Sequence, residues 1–257
     1  MPASERIYRT EAVILRRQDL GEADRILTLY TRDHGKIRVV AKGVKKPTSR
    51  KVGHVELFTR ADVLIARGRT LDILSQAQTL DAFLPLRQNL EQATYAAHFV
   101  ELLDAFTEEG DESRALYDLL VEGLGWLCAT SDLRRTARYY ELRLLGLAGY
   151  RPELFRCAAC GKEIEPQDQF YSPAAGGVLC PACGPGNPRA RPISLNALKV
   201  LRYMQTRPFE AVESLTLRPA VQAECERLLH GTLTYYLERR LRSAAFLARL
   251  RREAPDR

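Results

Sequence analysis

Residues 7–80 read as short apolar runs between turn signals, and in Lys36–Lys42 the apolar positions recur every second residue, the period of a strand with one face buried. The pattern predicts five strands, Ile7–Arg17, Arg25–Arg32, Lys36–Lys42, Glu56–Ala66 and Thr70–Thr79, each rich in Ile, Val, Leu and Thr. Turn signals separate them: Asp19 to Asp24 around Gly21, then Asp33-His34-Gly35, a basic loop, and Arg67-Gly68-Arg69. Five short strands in about eighty residues suit a small closed barrel. An OB-fold is the commonest nucleic-acid-binding barrel of that size, and an SH3-like barrel fits the pattern nearly as well.

After Leu80 the period lengthens to that of a helix. A run opening near Pro85 carries Leu86, Leu90, Ala93, Ala97, Val100 and Leu103, and stops around Gly110. A second carries Leu116, Leu120, Gly123 and Leu127. A third starts at Ser131/Asp132, carries Leu133, Ala137, Tyr140, Leu144 and Leu147, and ends at Gly149. The span from Arg151 to Arg191 has little periodicity and much Gly, Pro and Cys. Helical spacing resumes at Ser194 and stops before Pro208, and a last run is predicted from Pro219 to about Leu250 with a basic end. These stripes predict a helical bundle.

Charge singles out one segment. Lys36 to Lys51 holds seven cations (Lys36, Arg38, Lys42, Lys45, Lys46, Arg50, Lys51) and no carboxylate. Ile37, Val39 and Ala41 fall on one face of the strand, and Lys36, Arg38 and Lys42 fall on the other. A cationic row followed by a basic loop suits a phosphate backbone. It equally suits a solvated, Lys-rich strand edge that resists aggregation. The net charge of +7 favours acidic partners. The chain shows no twenty-residue apolar run and no signal-peptide pattern at its start, so a cytoplasmic protein with no membrane partner is expected.

Four of the six cysteines form two pairs, Cys157-Ala-Ala-Cys160-Gly161 and Cys180-Pro-Ala-Cys183-Gly184, nineteen residues apart. That spacing predicts a four-thiolate zinc ribbon with one structural ion, because a closed tetrahedral shell leaves no position for water. Cys128 and Cys225 lie on helical stripes and read as small core residues. Signatures of catalysis are missing: there is no phosphate loop, no Gly-x-Ser-x-Gly elbow and no His-Glu-x-x-His pair. The four histidines are scattered. Asp19, Glu22 and Asp24 cluster at a turn, where carboxylates also gather for capping. No catalytic residue is expected.

The stretch from Ala12 to Phe58 resembles the N-terminal domain of the RecO family of bacterial recombination mediators. The resemblance runs through AVILRR, Gly21-Glu22-x-Asp24-Arg25, Thr28-Leu29-Tyr30-Thr31, Gly35, Ala41-Lys42-Gly43-Val44-Lys45-Lys46 and Ser49-Arg50. Leu20 stands where the family often has an aromatic residue. Some members lack the cysteines, so zinc is not the shared source of activity. The resemblance implies a multidomain α+β protein. A five-stranded OB-fold barrel would occupy residues 1–80 and a helical bundle residues 81–150 and 192–257, with the four-cysteine zinc ribbon inserted at 151–191. It further implies DNA repair by binding single- and double-stranded DNA and annealing complementary strands. With RecR, such a protein loads RecA onto strands coated by single-strand-binding protein, whose C-terminal tail would be a partner, in the cytoplasm at the nucleoid.

The seven cations match the family's basic strand and loop and are assigned phosphate contacts. Charge alone adds a second tier. Arg134, Arg135 and Arg138 are expected on the polar face of the third helix, and Arg189, Arg191, Lys199, Arg202 and Arg207 lie in or beside a carboxylate-free span, Gln169 to Phe209. A solvated helix face explains these equally well. Few aromatics accompany the barrel cations (Tyr8, Tyr30, Phe58), so base stacking should be a minor term there. An RNA-binding barrel with a zinc ribbon, of translation or ribosome assembly, fits the same composition.

Overall fold

The computed structural model describes residues 6–237, together with Ser243 and Leu247. The chain divides into two compact units, Met1–Ala129 and Thr130–Arg257. In the first, strands β1 (Ile7–Leu20), β2 (Asp24–Thr31), β3 (Gly35–Ala41), β4 (Arg60–Ala66) and β5 (Asp72–Asp81) close a barrel in the order β1-β2-β3-β5-β4. β5 runs parallel to β3 (Val39 opposite Asp72, Val40 opposite Ile73), and β1 pairs with both β2 and β4. That order is the five-stranded OB barrel and resolves the choice left open by strand count.

Apolar side chains of the predicted strands fill the interior. Ala12, Ile14, Leu27, Leu29, Val39, Ala41, Ala61, Val63, Ile65 and Leu74 are fully buried, and Val44 and Val55 from the β3–β4 connection join them. A bulge at Leu15 shifts the β1 register between Ile14 and Arg16, and both Ile14 and Leu15 end buried. β4 begins four residues later than predicted. Phe58 takes a left-handed φ of +68°, which breaks the extended run, and its N–H bonds to Ile14 O.

The helical part of this unit is α1 (Pro85–Gln88), α2 (Leu90–Phe106) and α3 (Arg114–Ala129). The single predicted run from Pro85 is broken at Asn89, whose extended backbone lets its side chain accept from the N–H groups of Glu91 and Gln92. The end of α2 meets the barrel at Lys36. Its ammonium donates to Asp104 O (2.8 Å), Asp104 Oδ1 (3.1 Å) and Thr107 O, using all three N–H groups. Arg16 pairs with the other oxygen of Asp104. Gly35 packs so closely on Asp111 that a Cβ would lie 2.0 Å from its carbonyl oxygen.

The second unit is built around α4 (Leu133–Leu147), with α5 (Leu195–Thr206), α6 (Phe209–Glu213) and α7 (Pro219–Leu237) against it. Asp132 caps α4 through Arg135 N–H (2.9 Å), and Ser194 caps α5 through Ala197 N–H (3.2 Å), as their sequences predict. Between α4 and α5 lie three strands of three or four residues, β6 (Gln169–Ser172), β7 (Gly177–Leu179) and β8 (Arg191–Ile193), in the order β7-β6-β8. Strands so short carry no readable period. Apart from Ser243 and Leu247, the predicted extension of the last helix to Leu250 and its basic residues Arg239, Arg240, Arg242, Arg249, Arg251 and Arg252 lie outside the described residues.

Replacing Lys36 with Met should lower the stability of the protein by about 2 kcal/mol, the cost of leaving buried acceptors unpaired. Lys46→Met, at an exposed position, should be close to neutral. Urea denaturation of the two variants checks the contrast, and equal midpoints would refute the role given to Lys36.

Candidate nucleic-acid interface and metal centre

The basic loop after β3 is tied down at both ends. At its start, Gly43 turns the chain with φ +64°, and its N–H donates to Asp24 Oδ1 (2.7 Å). Asp19 accepts from Lys45 Nζ (2.9 Å) and Arg25 Nε (3.0 Å), and these two hold its carboxyl below the usual carboxylate range. At its far end, Lys51 Nζ donates to Leu74 O (3.0 Å), and His54 Nδ1 accepts from Thr79 N–H (3.1 Å). Burial lowers the Lys51 pKa from its ordinary value. The acidic turn beside Gly21 therefore serves as the loop's footing.

Between these ties the loop overhangs the outer face of β4 and β5 and encloses a groove of about 630 Å³. Lys42, Arg50, Lys51, His54, Gln76 and Gln78 are among its lining residues. Lys42, Lys46 and Arg50 are exposed, and no ion pair engages them among the described residues. Arg38 is exposed on β3, with Glu109 Oε1 3.8 Å from its Nε. A second groove, of about 460 Å³, lies on the outer face of β1–β3. It sets Arg16, Arg17 and Arg38 among Asp104, Glu108 and Glu109, so its charge is mixed.

The expected outward row on β3 is corrected at Lys36. It is 9% exposed, and its ammonium is consumed at the end of α2, so it presents no donor to a ligand. The third helix needs a similar correction. α4 is buried around its circumference, and Arg135 and Arg138 lie within it at 7% and 4% exposure. Arg135 Nη1 donates to Leu215 O, and Arg138 Nη2 bonds to Glu141 Oε1 (2.5 Å) in a buried pair. Arg134 is half-buried, 3.3 Å from Glu226. Interior arginines with dedicated acceptors do internal work, and period alone cannot separate them from solvated ones.

Of the other second-tier cations, Arg189, Arg191, Lys199 and Arg207 are exposed. Arg202 is half-buried, donating Nε to Leu154 O (2.7 Å) with its guanidinium over the Phe155 ring (5.1 Å). Sequence reading missed Gln76, Gln78 and His54 of the groove. Only the pairing of β4 with β5 brings them under the loop.

The four predicted cysteines converge. One sulfur from each of Cys157, Cys160, Cys180 and Cys183 lies within 4.8 Å of the others, a cluster that could hold a metal ion. Cys157 Sγ accepts from Cys180 N–H (3.3 Å). Burial opposes ionisation of Cys157, but the N–H groups of Cys180, Cys160 and Ala159 outweigh it and bring its pKa down to about 6. The neighbouring sulfurs of Cys180 and Cys160 push Cys183 up to about 12. A thiolate among competing thiols suits a cation that replaces their shared protons. The glycine after each pair does a different job. Gly161 adopts φ +73°, whereas a Cβ on Gly184 would stand 2.2 Å from the Phe170 ring.

The fold defines the class first: an OB-barrel protein with a second, helical unit that carries a four-cysteine ribbon. Residues 5–83 match the family described as Recombination protein O N terminal, and residues 87–245 match Recombination protein O C terminal. The DNA repair protein RecO of Roseiflexus sp. (strain RS-1) is 45% identical over 243 residues, covering 95% of this chain and 86% of that protein. The DNA repair protein RecO of Pelotomaculum thermopropionicum is 40% identical over 246 residues, 95% and 94% of the two chains. That of Desulforudis audaxviator is 40% identical over 243 residues, 95% and 97%. The chain belongs to the RecO family.

A Gly184→Ala variant should displace Phe170 and loosen the second cysteine pair, so that after reconstitution with zinc it releases the ion to a chelator faster than the wild type treated alike. Gly186→Ala, which meets open space, should not. Release followed with a colorimetric metal indicator distinguishes the two.

Proposed function

We propose that this protein is a recombination mediator in DNA repair, binding single- and double-stranded DNA through the basic loop of its OB barrel and annealing complementary strands. The observation that carries the reading is the placement of Lys42, Lys46 and Arg50. All three are exposed on one loop, and Lys42 and Arg50 line its groove together with Lys51, in a chain of the RecO family. OB barrels commonly use the face of strands 2 and 3. Here α2 and its following turn carry Asp104, Glu108 and Glu109 onto that side, which disfavours a polyanion there. The loop side is the better surface for phosphates. Arg38 lies on the mixed-charge face beside Glu109, Lys45 is paired with Asp19 at the loop's base, and Lys36 supports the barrel.

Annealing is limited by repulsion between two polyanions, so a protein with separate cationic surfaces can neutralise both strands. Arg189, Arg191, Lys199 and Arg207 of the second unit are candidates for the other surface. The reaction breaks and forms no covalent bond, and no catalytic residue is assigned. Family membership further supports action with RecR in loading RecA onto strands coated by single-strand-binding protein. The cysteine cluster would hold one structural zinc ion. No helix among the described residues is long and apolar enough to cross a membrane, which agrees with a cytoplasmic, nucleoid-associated role.

With four cations on the phosphates, log K for a single strand should fall with log salt at a slope of about −3. Changing Lys42, Lys46 and Arg50 together to Ala should reduce that slope by about 2 and abolish annealing of strands coated by single-strand-binding protein. A salt-independent affinity, or annealing unchanged in the variant, would refute the reading, and parallel titration with matched RNA tests the choice of DNA. Elemental analysis of the native protein should find one zinc ion per chain. Its removal should abolish the folded signals of β6–β8, because thiolate–zinc binding supplies roughly 10–16 kcal/mol in small zinc modules.

A further inference from the structure

Four side chains outside the barrel form a continuous array in the second unit. Tyr150, just past the end of α4, stacks on Tyr236 of α7 with ring centroids 4.5 Å apart and planes tilted by 34°. Tyr236 meets Tyr235 edge-on at 5.3 Å, and the Arg189 guanidinium lies 5.8 Å from the Tyr235 ring centre. Tyr236 anchors the centre by donating its hydroxyl to Pro173 O (3.3 Å). The outer rings keep part of their surface in solvent, with Tyr150 and Tyr235 exposed by 42% and 39%.

Mutually stacked tyrosines are ordinary in a core, where their faces are covered. Here two of them keep much of their surface in water beside a guanidinium. Arg189 also belongs to the carboxylate-free span Gln169 to Phe209, in which Arg191, Lys199 and Arg207 are exposed too. A partner matched to Arg189 and its neighbouring tyrosines presents flat π faces and negative charge together. A single nucleic-acid strand does so, whereas a duplex hides its base faces in its own stack.

We infer that the array Arg189–Tyr235–Tyr236–Tyr150 is a stacking platform for the unpaired bases of a single strand. The inference rests on the nucleic-acid reading above and deepens it. The barrel loop takes phosphates by charge from any strand, and the tyrosines take only bases that are free to stack. The second unit thereby distinguishes an open strand from a paired one and would release it as it anneals.

The test uses the full chain, an oligodeoxythymidine and an abasic oligomer with the same number of phosphates, each read by fluorescence anisotropy across a salt series. Tyr235→Ala should weaken binding of the oligodeoxythymidine about tenfold. It should leave the abasic oligomer and the salt slope unchanged, and Tyr235→Phe should restore the affinity. Tyr150→Ala should act in the same direction. Loss on both oligomers alike, or on neither, overturns the platform. Loss of affinity for an acidic, phenylalanine-bearing peptide with no loss for either oligomer would make the array a protein-docking surface and also overturn it. Failure of the wild type to bind any oligomer would remove the basic-loop reading as well. Normal binding that is sensitive to Lys42, Lys46 and Arg50 but indifferent to Tyr235 would remove the platform alone.

Discussion

A lysine ammonium buried at the C-terminal end of a helix sets the geometry of the first unit. The last carbonyls of α2 have no partners within the helix and carry its negative end, and Lys36 brings them three donors and a positive charge. Asp104 completes the arrangement by accepting from Lys36 while it pairs with Arg16 from β1. One side chain of β3 thus fastens α2 across the outer face of β1–β3. The same contact brings carboxylates onto that face. What stays cationic and open is the loop on the other side of the barrel.

The loop in turn depends on the acidic turn after β1. Asp19 and Asp24 hold Lys45 and the Gly43 N–H, and Lys51 and His54 fasten the other end to β5. The Gly21–Arg25 and Ala41–Lys46 patterns, one before β2 and the other after β3, are therefore two halves of one structural joint. Fixing both ends reduces the entropy a ligand would have to remove, leaving Lys46 and Arg50 projecting from a short tip.

The second unit encloses some of its charges and leaves some of its aromatics partly in solvent. Arg135, Arg138 and Glu141 are enclosed in α4, where Arg138 pairs with Glu141 and Arg135 donates to Leu215 O, so that removing one partner would leave a buried charge uncompensated. Tyr150 and Tyr235 meanwhile stay partly in solvent. A barrel poor in surface aromatics and a second unit with a solvent-facing tyrosine array present distinct chemistries, and on them rest the separate phosphate and base-face contacts proposed above.

Period and spacing carried much of this architecture in the linear chain. Runs rich in Ile, Val, Leu and Thr between turn signals marked the five strands, Asp132 and Ser194 announced their helices, and the two Cys-x-x-Cys pairs identified the cluster. Each is a local pattern, because strand faces, caps and knuckles are settled by residues a few positions apart. Closure in OB order required the parallel pairing of Val39–Val40 with Asp72–Ile73, which no local pattern encodes. Whether a cation meets water or a carbonyl was also invisible locally. Lys36 finds its acceptors 68 and 71 residues away, Arg135 finds its own 80 residues away, and Tyr150 and Tyr236 meet only through the packing of α7 on α4. Local chemistry was enough to mark the barrel strands, the long helices and the cysteine pairs, but not the short strands β6–β8. Which charges are spent inside the protein and which remain free followed only from the folded chain, because burial depends on neighbours distant in sequence.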